Sequence, residues 1–350
     1  MLDYYRLVWP LLRQLDSERA HGLAITALKN HLVPIPEPFG DERLVTQVWG
    51  LTFVNPIGLA AGFDKNAEVI DPVLQQGFGF VEVGSVTPKA QSGNPKPRMF
   101  RALEDRGVIN RLGFNNHGIE RVARRLEERL ASPSRMPGIV GLNLGKNKDQ
   151  PDAIADYVAG IERGRDLADY LVINISSPNT PGLRALQSRE ALTSLVAATR
   201  LAADTKPLLV KIAPDLVDDE LRDICEVVLE HRIDGLICGN TTLSRDGLKS
   251  RTREEQGGLS GEPLFTRSTA VLKRVYELTE GRLPLIGVGG VSTGEQAYAK
   301  LRAGASLVQL YTGLVYGGIG LARRIAQELS RIMEKQGVTS VAEVVGADHR

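Results

Sequence analysis

The chain has 350 residues, and its 43 lysines and arginines are almost balanced by 42 aspartates and glutamates. A balanced charge creates no global field that would attract nucleic acid, so no nucleic-acid partner is expected. No apolar run reaches the roughly 20 residues of a membrane-spanning helix, and the first residues, with Asp3 and Arg6, lack the small-residue cleavage site of a secretory signal. Only two cysteines occur, Cys225 and Cys238, and both are expected to be buried thiols in a reducing compartment.

Two short helices are predicted in the first forty residues, Leu2–Arg13 and Ser17–Lys29, with Ser17 as the N-cap of the second. Apolar and aromatic side chains are interspersed with basic ones, and prolines at 34, 36 and 38 end the unit. Two interpretations fit this pattern. The helices either pack on the main domain as a hairpin, or lie in a membrane interface and gate a lipophilic ligand.

A short β-hairpin is predicted from Arg43 to Phe53, and after it apolar strands alternate eight times with helical patterns. This alternation predicts an α/β fold, a (β/α)8 TIM barrel whose bottom the hairpin closes. A doubly wound open sheet would need an early G-x-G-x-x-G turn, which the sequence lacks. The predicted strands are Pro56–Ala61, Phe80–Ser85, Ile139–Leu144, Tyr170–Ile175, Pro207–Ile212, Ile233–Cys238, Leu283–Val288 and Leu307–Tyr311. The predicted helices include Gly118–Leu130, Arg189–Ala203, Asp218–His231, Thr266–Glu280 and Gly294–Ala303.

Two segments interrupt the regular alternation of strands and helices. Ala90–Arg111, rich in proline, glycine and arginine, follows the second strand and is predicted to place a small hairpin over the barrel mouth. Gly257–Gly261 is interpreted as a flexible backbone cradle.

Functional groups of such a barrel lie at the carboxyl ends of its strands. The fourth strand ends in Asn-Ile-Ser-Ser-Pro-Asn-Thr, residues 174–180, and Pro178 keeps Ser177 out of helical backbone angles. A capped turn is the alternative interpretation of this loop. Lys211 lies inside the apolar fifth strand, where a lysine needs an anionic or electron-rich partner or a lowered pKa. The alternative is a strand lysine whose amine reaches the surface.

Glycine-rich turns follow the seventh and eighth strands, at 286–290 and 309–313, where barrels bind phosphate through backbone N–H groups. The strand ends carry no histidine, paired carboxylates or cysteine–histidine cluster, so no metal site is expected. Amides, hydroxyls and two lysines suit a planar anionic heterocycle and leave the difficult chemistry to a cofactor. FMN fits this set better than pyridoxal phosphate, which would use Lys211 for a Schiff base and stays the alternative.

The strand-end motifs resemble those of the dihydroorotate dehydrogenase family over essentially the whole chain. The motifs are Ala61-Gly-Phe-Asp-Lys65, Asn110-Arg-Leu-Gly-Phe-Asn115, Asn174-Ile-Ser-Ser-Pro-Asn-Thr-Pro-Gly-Leu-Arg184, Lys211-Ile-Ala-Pro214, Gly257-Gly-Leu-Ser-Gly261 and Gly287-Val-Gly-Gly290. The N-terminal helical pair, and a serine where the soluble class carries a cysteine, make the chain similar to class 2. That class is membrane-associated and passes electrons to quinone in pyrimidine synthesis.

The resemblance implies a role for each matching residue. Ser177 would take the C5 proton of dihydroorotate, through an organised path such as a water and Thr180, while the C6 hydride moves to FMN. Lys211 would lie at the flavin N1/O2 edge. The residues implied for the substrate are Lys65, Asn110, Arg111, Leu112, Gly113, Phe114, Asn174, Asn179, Asn240 and Thr241. Those implied for FMN are Ala61, Gly62, Lys65, Ser85, Asn143, Asn174, Lys211, Gly239, Gly261, Gly290, Tyr311 and Thr312.

Two positions depart from the family pattern. Gly239 stands where a threonine or a similar residue is expected, so a flavin contact is lost or made by backbone alone, and Ser85 stands where threonine is also common. Residues 1–40 would form a membrane-docking unit with access for quinone, 41–340 the FMN-binding barrel, and 341–350 a C-terminal tail. The implied location is peripheral, at the cytoplasmic face of a bacterial inner membrane, for a monomer or homodimer. Three other interpretations are an FMN barrel that oxidises a different substrate, a class 1 enzyme that uses fumarate or NAD, and a non-catalytic phospholigand-binding barrel or membrane-peripheral scaffold.

Overall fold

A computed structural model of the protein describes residues 4–350. The strands, numbered in chain order, are β1 (Thr46–Val48), β2 (Leu51–Phe53), β3 (Ile57–Leu59), β4 (Phe80–Val86), β5 (Met99–Ala102), β6 (Gly107–Asn110), β7 (Ile139–Leu144), β8 (Tyr170–Asn174), β9 (Leu208–Ile212), β10 (Gly235–Cys238), β11 (Gly258–Gly261), β12 (Leu285–Val288) and β13 (Leu307–Leu310). The helices are α1 (Tyr4–Leu12), α2 (Ser17–Lys29), α3 (Ile70–Leu74), α4 (Ile119–Ala131), α5 (Ala153–Gly164), α6 (Arg189–Ala203), α7 (Asp218–Glu230), α8 (Phe265–Leu278), α9 (Gly294–Arg302), α10 (Gly313–Gly317), α11 (Leu321–Lys335) and α12 (Val341–Val344).

Eight parallel strands close into a barrel in the order β3, β4, β7, β8, β9, β10, β12, β13, and β13 pairs back with β3. Every residue of these strands is buried except Ile139, because helices cover the outside and side chains fill the inside. The predicted TIM barrel is therefore confirmed, and the observed strands lie within the predicted ranges to within about two residues. Cys225 on α7 and Cys238 on β10 are both buried and free, as predicted.

The β1–β2 hairpin closes the bottom of the barrel, as predicted. The ring of Phe53 packs edge-on against Phe80 with their centroids 5.3 Å apart, and Trp49 donates its indole N–H to the carbonyl of Asp234 at 2.7 Å. This apolar plug leaves the opposite, carboxyl end of the strands as the open mouth.

The N-terminal hairpin of α1 and α2 packs against the barrel mouth. Arg98 forms an ion pair with Glu18 of α2 at 2.6 Å, and the hydroxyl of Tyr5 donates to the carbonyl of Val315 at 2.6 Å. The predicted N-cap is wrong by one residue. Asp16, not Ser17, accepts from the N–H of Arg19 at 2.9 Å, because the helix begins at Ser17.

The predicted first helix began at Leu2, and both Leu2 and Asp3 lie outside the described residues. Among residues 4–350, no helix is both long and apolar enough to cross a bilayer.

A three-stranded antiparallel sheet, in the order β11, β6, β5, covers part of the barrel mouth. The hairpin predicted inside Ala90–Arg111 is its β5–β6 pair. Gly257–Gly261, interpreted from the sequence as a flexible cradle, is instead largely the strand β11. Its pairing with β6 was not predictable from the local sequence, because the two strands lie about 150 residues apart.

The C-terminal residues 341–350 are packed rather than free. Val341 and Val344 of α12 are almost fully buried, and Arg302 forms an ion pair with Asp348 at 2.5 Å.

Candidate active site

A cavity opens at the carboxyl end of the barrel, under the β5–β6–β11 sheet, and we call it the polar cavity because asparagine, serine and lysine side chains from several strand ends line it. Most of the site residues predicted from the sequence line it. They are Ala61, Gly62, Lys65, Ser85, Asn110, Leu112, Gly113, Phe114, Asn174, Ser177, Asn179, Lys211, Asn240, Thr241, Gly261, Gly290, Tyr311 and Thr312. The barrel brings together these residues from distant parts of the chain because the carboxyl ends of its parallel strands meet at one rim.

Three predicted residues do not line the cavity: Arg111, Asn143 and Gly239. Arg111 points outward, donating to Glu255 at 2.7 Å, and its guanidinium lies over the ring of Phe100. Asn143 is fully buried one layer below the cavity, where it accepts from the hydroxyl of Ser85. Gly239 has a φ of +120°, and a Cβ there would lie 2.8 Å from the carbonyl oxygen of Val288, so this backbone leaves no room for a threonine side chain.

Ser177 lies in a loop that polar contacts hold in place at the cavity wall. Its side-chain oxygen accepts the N–H of Asn179 at 3.3 Å, and its residue is only 7% exposed. Arg184 ties this loop to the next strands. It donates to the carbonyl of Ser176 and to that of Thr241, both at 3.0 Å, and pairs with Asp215 at 2.9 Å.

The insertion over the mouth is attached to the same loop. The side-chain amide of Asn94 donates to the carbonyls of Arg111 at 3.0 Å and Asn179 at 3.3 Å. The amide of Asn179 in turn reaches Asn110 at 3.4 Å. The loop that carries Ser177 and the segment that carries Asn110 therefore form two joined walls of one pocket.

Lys211 has a buried anionic partner that sequence reasoning missed. Its ammonium nitrogen lies 3.7 Å from a carboxylate oxygen of Glu82, a fully buried residue of β4. Burial lowers the pKa of Lys211, and the attraction of Glu82 opposes that shift. The sequence signal was present, since Glu82 interrupts an apolar strand just as Lys211 does.

Lys65 lies at the rim where the polar cavity approaches α2. Burial lowers the pKa of Lys65 to about 8, and Glu18 and Asp64 oppose that shift by attraction. Nearby, burial and the charge of Lys65 lower the pKa of His21 to about 3, so His21 is neutral at physiological pH.

A second, larger and mainly apolar cavity of about 900 Å³ lies between the N-terminal hairpin and the barrel. Its walls include residues of both N-terminal helices: Tyr5, Val8, Trp9, Leu12, Ala20, His21, Leu23, Ala24, Ala27 and Leu28. Met99, Val108, Tyr311 and Val315 line both cavities. The polar and the apolar cavity are therefore neighbours that share a wall.

Comparison with known proteins identifies the family. The model of the family described as "Dihydroorotate dehydrogenase" matches residues 43–333. The chain belongs to the dihydroorotate dehydrogenase family.

Several dihydroorotate dehydrogenases resemble this chain over nearly all of its length. "Dihydroorotate dehydrogenase (quinone)" of Rhodospirillum rubrum is 55% identical over all of this chain and 96% of the relative. The mitochondrial quinone enzyme of Oryza sativa subsp. japonica is 52% identical over 99% of this chain and 80% of its own. The crystal structure of DHODH from Eimeria tenella in complex with ferulenol superposes with a TM-score of 0.93, at 42% identity over 97% of this chain and 99% of that one.

Dihydroorotate dehydrogenases are flavin-dependent, and the polar cavity fits a planar, amide-rich ligand. Thr241 and Asn115 line it, and the hydroxyl oxygen of the first and the side-chain oxygen of the second are buried without a hydrogen-bond partner. A ligand that hydrogen-bonds them would remove the cost of leaving them unpaired. Gly290 allows the turn after β12 to pack directly against the start of α8, since a Cβ there would lie 2.4 Å from the Cα of Phe265. Asn115 was not among the predicted site residues, although it is the last residue of the Asn110–Asn115 motif.

Proposed function

We propose that this protein oxidises (S)-dihydroorotate to orotate with FMN as hydride acceptor and passes the electrons to a membrane quinone, in pyrimidine biosynthesis. The observation that carries the proposal is the shared wall between the polar cavity and the apolar cavity. One cavity suits a small polar anion, the other suits a lipophilic molecule, and Tyr311 borders both. Such an arrangement lets two unlike substrates exchange electrons through one cofactor without meeting.

Asparagine side chains around the polar cavity would hold the substrate. Asn174 and Asn179 line it from the loop that carries Ser177, Asn110 lines it from the insertion, and Asn240 and Thr241 line it from the end of β10. Their amides match the carbonyl, N–H and carboxylate edges of a dihydropyrimidine. Lys65 supplies positive charge for the carboxylate. Leu112, Gly113 and Phe114 would complete the pocket, while Arg111 would act only through its backbone because its guanidinium faces outward.

Ser177 would remove the C5 proton of the substrate as the C6 hydride leaves. The N–H of Asn179 occupies one lone pair of its hydroxyl oxygen, which orients the remaining lone pair and the O–H. A serine is a weak base at its ordinary pKa, so the proton must leave through a path in the loop. Thr180 lies three residues after Ser177 in the same loop and is 5% exposed, and we propose that its hydroxyl belongs to that path.

FMN would lie across the floor and rim of the polar cavity. Lys211 and the alanine, glycine and serine of the first two strand ends, Ala61, Gly62 and Ser85, would hold its ring, and Gly261, Gly290, Tyr311 and Thr312 its phosphate side. When bound, FMN supplies the acceptor for the substrate hydride and carries its electrons onward. Asn143 and Gly239 do not line the cavity. We therefore propose that Asn143 supports Ser85 from below and that Gly239 contributes only its backbone to the site.

The apolar cavity would receive the quinone. The side-chain Nε–H of Arg101 is buried there without an acceptor, so a quinone carbonyl would satisfy it. Leu7 and Leu11 on α1 are 67% and 69% exposed, beyond what a packed hairpin needs. We therefore assign residues 1–40 to peripheral membrane docking at the cytoplasmic face of a bacterial inner membrane, 41–340 to the FMN barrel and 341–350 to a packed tail. A monomer or a homodimer is compatible with this assignment.

An anaerobic visible spectrum tests the proposal. The purified protein should show an oxidised flavin that bleaches with dihydroorotate and regains its colour with a short-chain quinone. Acid release should yield FMN rather than FAD. A flavin that stays oxidised with dihydroorotate would reject the substrate, and one that is reduced but reoxidised only by fumarate or NAD would reject the quinone.

A further inference from the structure

A continuous series of side-chain hydrogen bonds connects the buried Glu82 with the substrate wall of the polar cavity. From the cavity inward, Asn240 donates to Ser176 at 2.7 Å, and Ser176 donates to Asn174 at 2.7 Å. Asn174 then donates to Ser85 at 2.8 Å, and Ser85 donates to Asn143. The amide of Asn143 donates to Glu82 at 2.8 Å.

All of these hydrogen bonds point in one direction, toward Glu82. Two further donors converge on the same carboxylate, the hydroxyl of Tyr170 at 3.2 Å and the amide of Gln309 at 2.6 Å, and the ammonium of Lys211 forms an ion pair with it at 3.7 Å. An acceptor-only carboxylate satisfies them all. Glu82 is fully buried and lines neither cavity, so its effect on a ligand must act through these neighbours.

The series and two backbone N–H groups, those of Ser176 and Thr241, together fix the orientation of each amide in it. If the amide of Asn143 turned over, its oxygen would face the carboxylate of Glu82. If the amide of Asn174 turned over, its nitrogen would face the backbone N–H of Ser176, which it now accepts at 3.2 Å. Each reversal places two like groups together in a buried site, which costs the penalty of unpaired polar atoms.

The fixed orientation decides what the cavity offers a ligand. An asparagine amide nitrogen carries two hydrogens. Asn174 and Asn240 each use one of them inside the series, and both line the cavity. Each therefore has one N–H left to donate, which suits the carbonyl and carboxylate oxygens of a dihydropyrimidine anion.

We propose that Glu82 is a positioning residue that anchors this series, so that Asn174 and Asn240 turn N–H groups toward the substrate, and that it is the anionic partner of Lys211. This inference rests on the proposed function, since it concerns the same substrate and flavin. It adds a residue from the barrel interior that touches neither ligand and yet sets both the donors around the substrate and the net charge beside the flavin.

Two substitutions separate these two roles of Glu82. In Glu82→Gln the side-chain oxygen still accepts from Asn143, while the new NH2 replaces the oxygen that accepts from the amide nitrogen of Gln309. The amide of Gln309 can turn over to accept from this NH2, because its own oxygen is buried without a partner. This variant keeps the series and removes only the charge. In Glu82→Met the acceptor itself is lost, and the amide of Asn143 is free to turn over.

The measurements are the flavin midpoint potential and the orotate dissociation constant of the holoenzyme. We expect Glu82→Gln to shift the potential to a more positive value, because Lys211 then has no anion to offset its charge beside the reduced flavin, and to leave orotate binding within about twofold. We expect Glu82→Met to weaken orotate binding by about tenfold or more, the loss of one or more well-oriented hydrogen bonds.

Tyr170→Phe is the matched control. Tyr170 is equally buried and donates to the other oxygen of Glu82, outside the series, so both measurements should stay at the wild-type values. Thermal unfolding and flavin content identify any variant that loses its fold. Glu82→Gln and Glu82→Met proteins that retain flavin and show wild-type potential and orotate affinity would overturn this inference. A wild-type protein that dihydroorotate does not reduce would instead overturn the proposed function.

Discussion

The imidazole of His21 and the phenol ring of Tyr311 lie 6.2 Å apart, which brings α2 to the wall between the two cavities. His21 also packs edge-on against Phe63, with their centroids 5.2 Å apart. The N-terminal hairpin therefore forms part of the cavity that we propose as the electron-acceptor site.

Removal of residues 1–33 should separate the two half-reactions. The substrate cavity lies inside the barrel and should still support reduction of the flavin by dihydroorotate. Reoxidation by a long-chain quinone should fall by at least tenfold, because α1 and α2 form one side of the apolar cavity. Stopped-flow spectra of each half-reaction give the two rates, with a water-soluble electron acceptor as the control. Unchanged turnover with the long-chain quinone would contradict the assignment of the apolar cavity.

The exposed leucines of α1 should contribute to membrane binding. Leu7→Glu together with Leu11→Glu should weaken binding to vesicles by roughly tenfold for each leucine, since burial of such a side chain is worth about 1.5–3 kcal/mol. Vesicle co-sedimentation measures the effect. Leu201→Glu is the matched control, because Leu201 is 84% exposed but lies on α6 of the barrel. Equal losses in the two proteins would mean that α1 does not dock.

Ser177→Ala should retain flavin and orotate but lose fast substrate oxidation. A positioned general base contributes about 10²–10⁴-fold, so the rate of flavin reduction by dihydroorotate should fall by that factor. Ser177→Cys should recover part of the rate, because a thiol ionises more readily than a hydroxyl. Single-turnover bleaching across a pH series compares the three proteins. A normal rate in Ser177→Ala would remove Ser177 from the mechanism.

Lys211→Met should shift the flavin midpoint potential opposite to Glu82→Gln. Loss of the buried ammonium destabilises the anionic reduced flavin, so the potential should fall by tens of millivolts, where about 30 mV corresponds to 1.4 kcal/mol for two electrons. Spectroelectrochemical titration measures it. Lys211→Met alone leaves the buried carboxylate of Glu82 without its cation. The double variant Glu82→Gln with Lys211→Met removes both charges, so it serves as the control, and its midpoint potential should lie between those of the two single variants.

Lys300 should make the stability of the protein depend on pH. It is fully buried and donates to the hydroxyls of Ser268 at 2.8 Å and Thr269 at 3.0 Å, with no carboxylate within ion-pair distance in the described residues. Burial lowers the pKa of Lys300 from 10.5 to about 7. Between these values the unfolded chain binds more protons, so this lysine makes the free energy of unfolding rise with pH, by at most about 1.4 kcal/mol per unit.

Urea unfolding at several pH values between 7 and 10 measures this slope. Lys300→Met should remove the contribution of Lys300 to this slope. The free energy of unfolding of the variant minus that of the wild type should therefore fall as the pH rises. Lys273→Met, at an exposed position on α8, is the control and should leave the slope unchanged. Parallel pH profiles for wild type and Lys300→Met would show that Lys300 is protonated in both states.

Much of the candidate site could be predicted before the fold was known, because chemistry in a barrel collects at strand ends. Ser177, the asparagines of its loop and Lys211 stand at such ends in the linear sequence, and all of them line the polar cavity. The prediction failed for side-chain direction. Arg111 lies in the predicted segment, but its guanidinium pairs with Glu255, a residue about 140 positions away.

The sequence by itself determined the alternation of strands and helices, the hairpin at the bottom and the polar inventory of the mouth, because each depends on local pattern. Only the tertiary structure decided which residues face the barrel interior. Parallel strands buried on both faces carry no polar–apolar alternation. Glu82 is visible in the sequence as a charge in an apolar strand, but nothing local indicates whether it faces the barrel interior or the surrounding helices. The pairing of β11 with β6, and the wall that joins the two cavities, likewise depend on contacts between segments far apart in the chain, which only the closed barrel brings together.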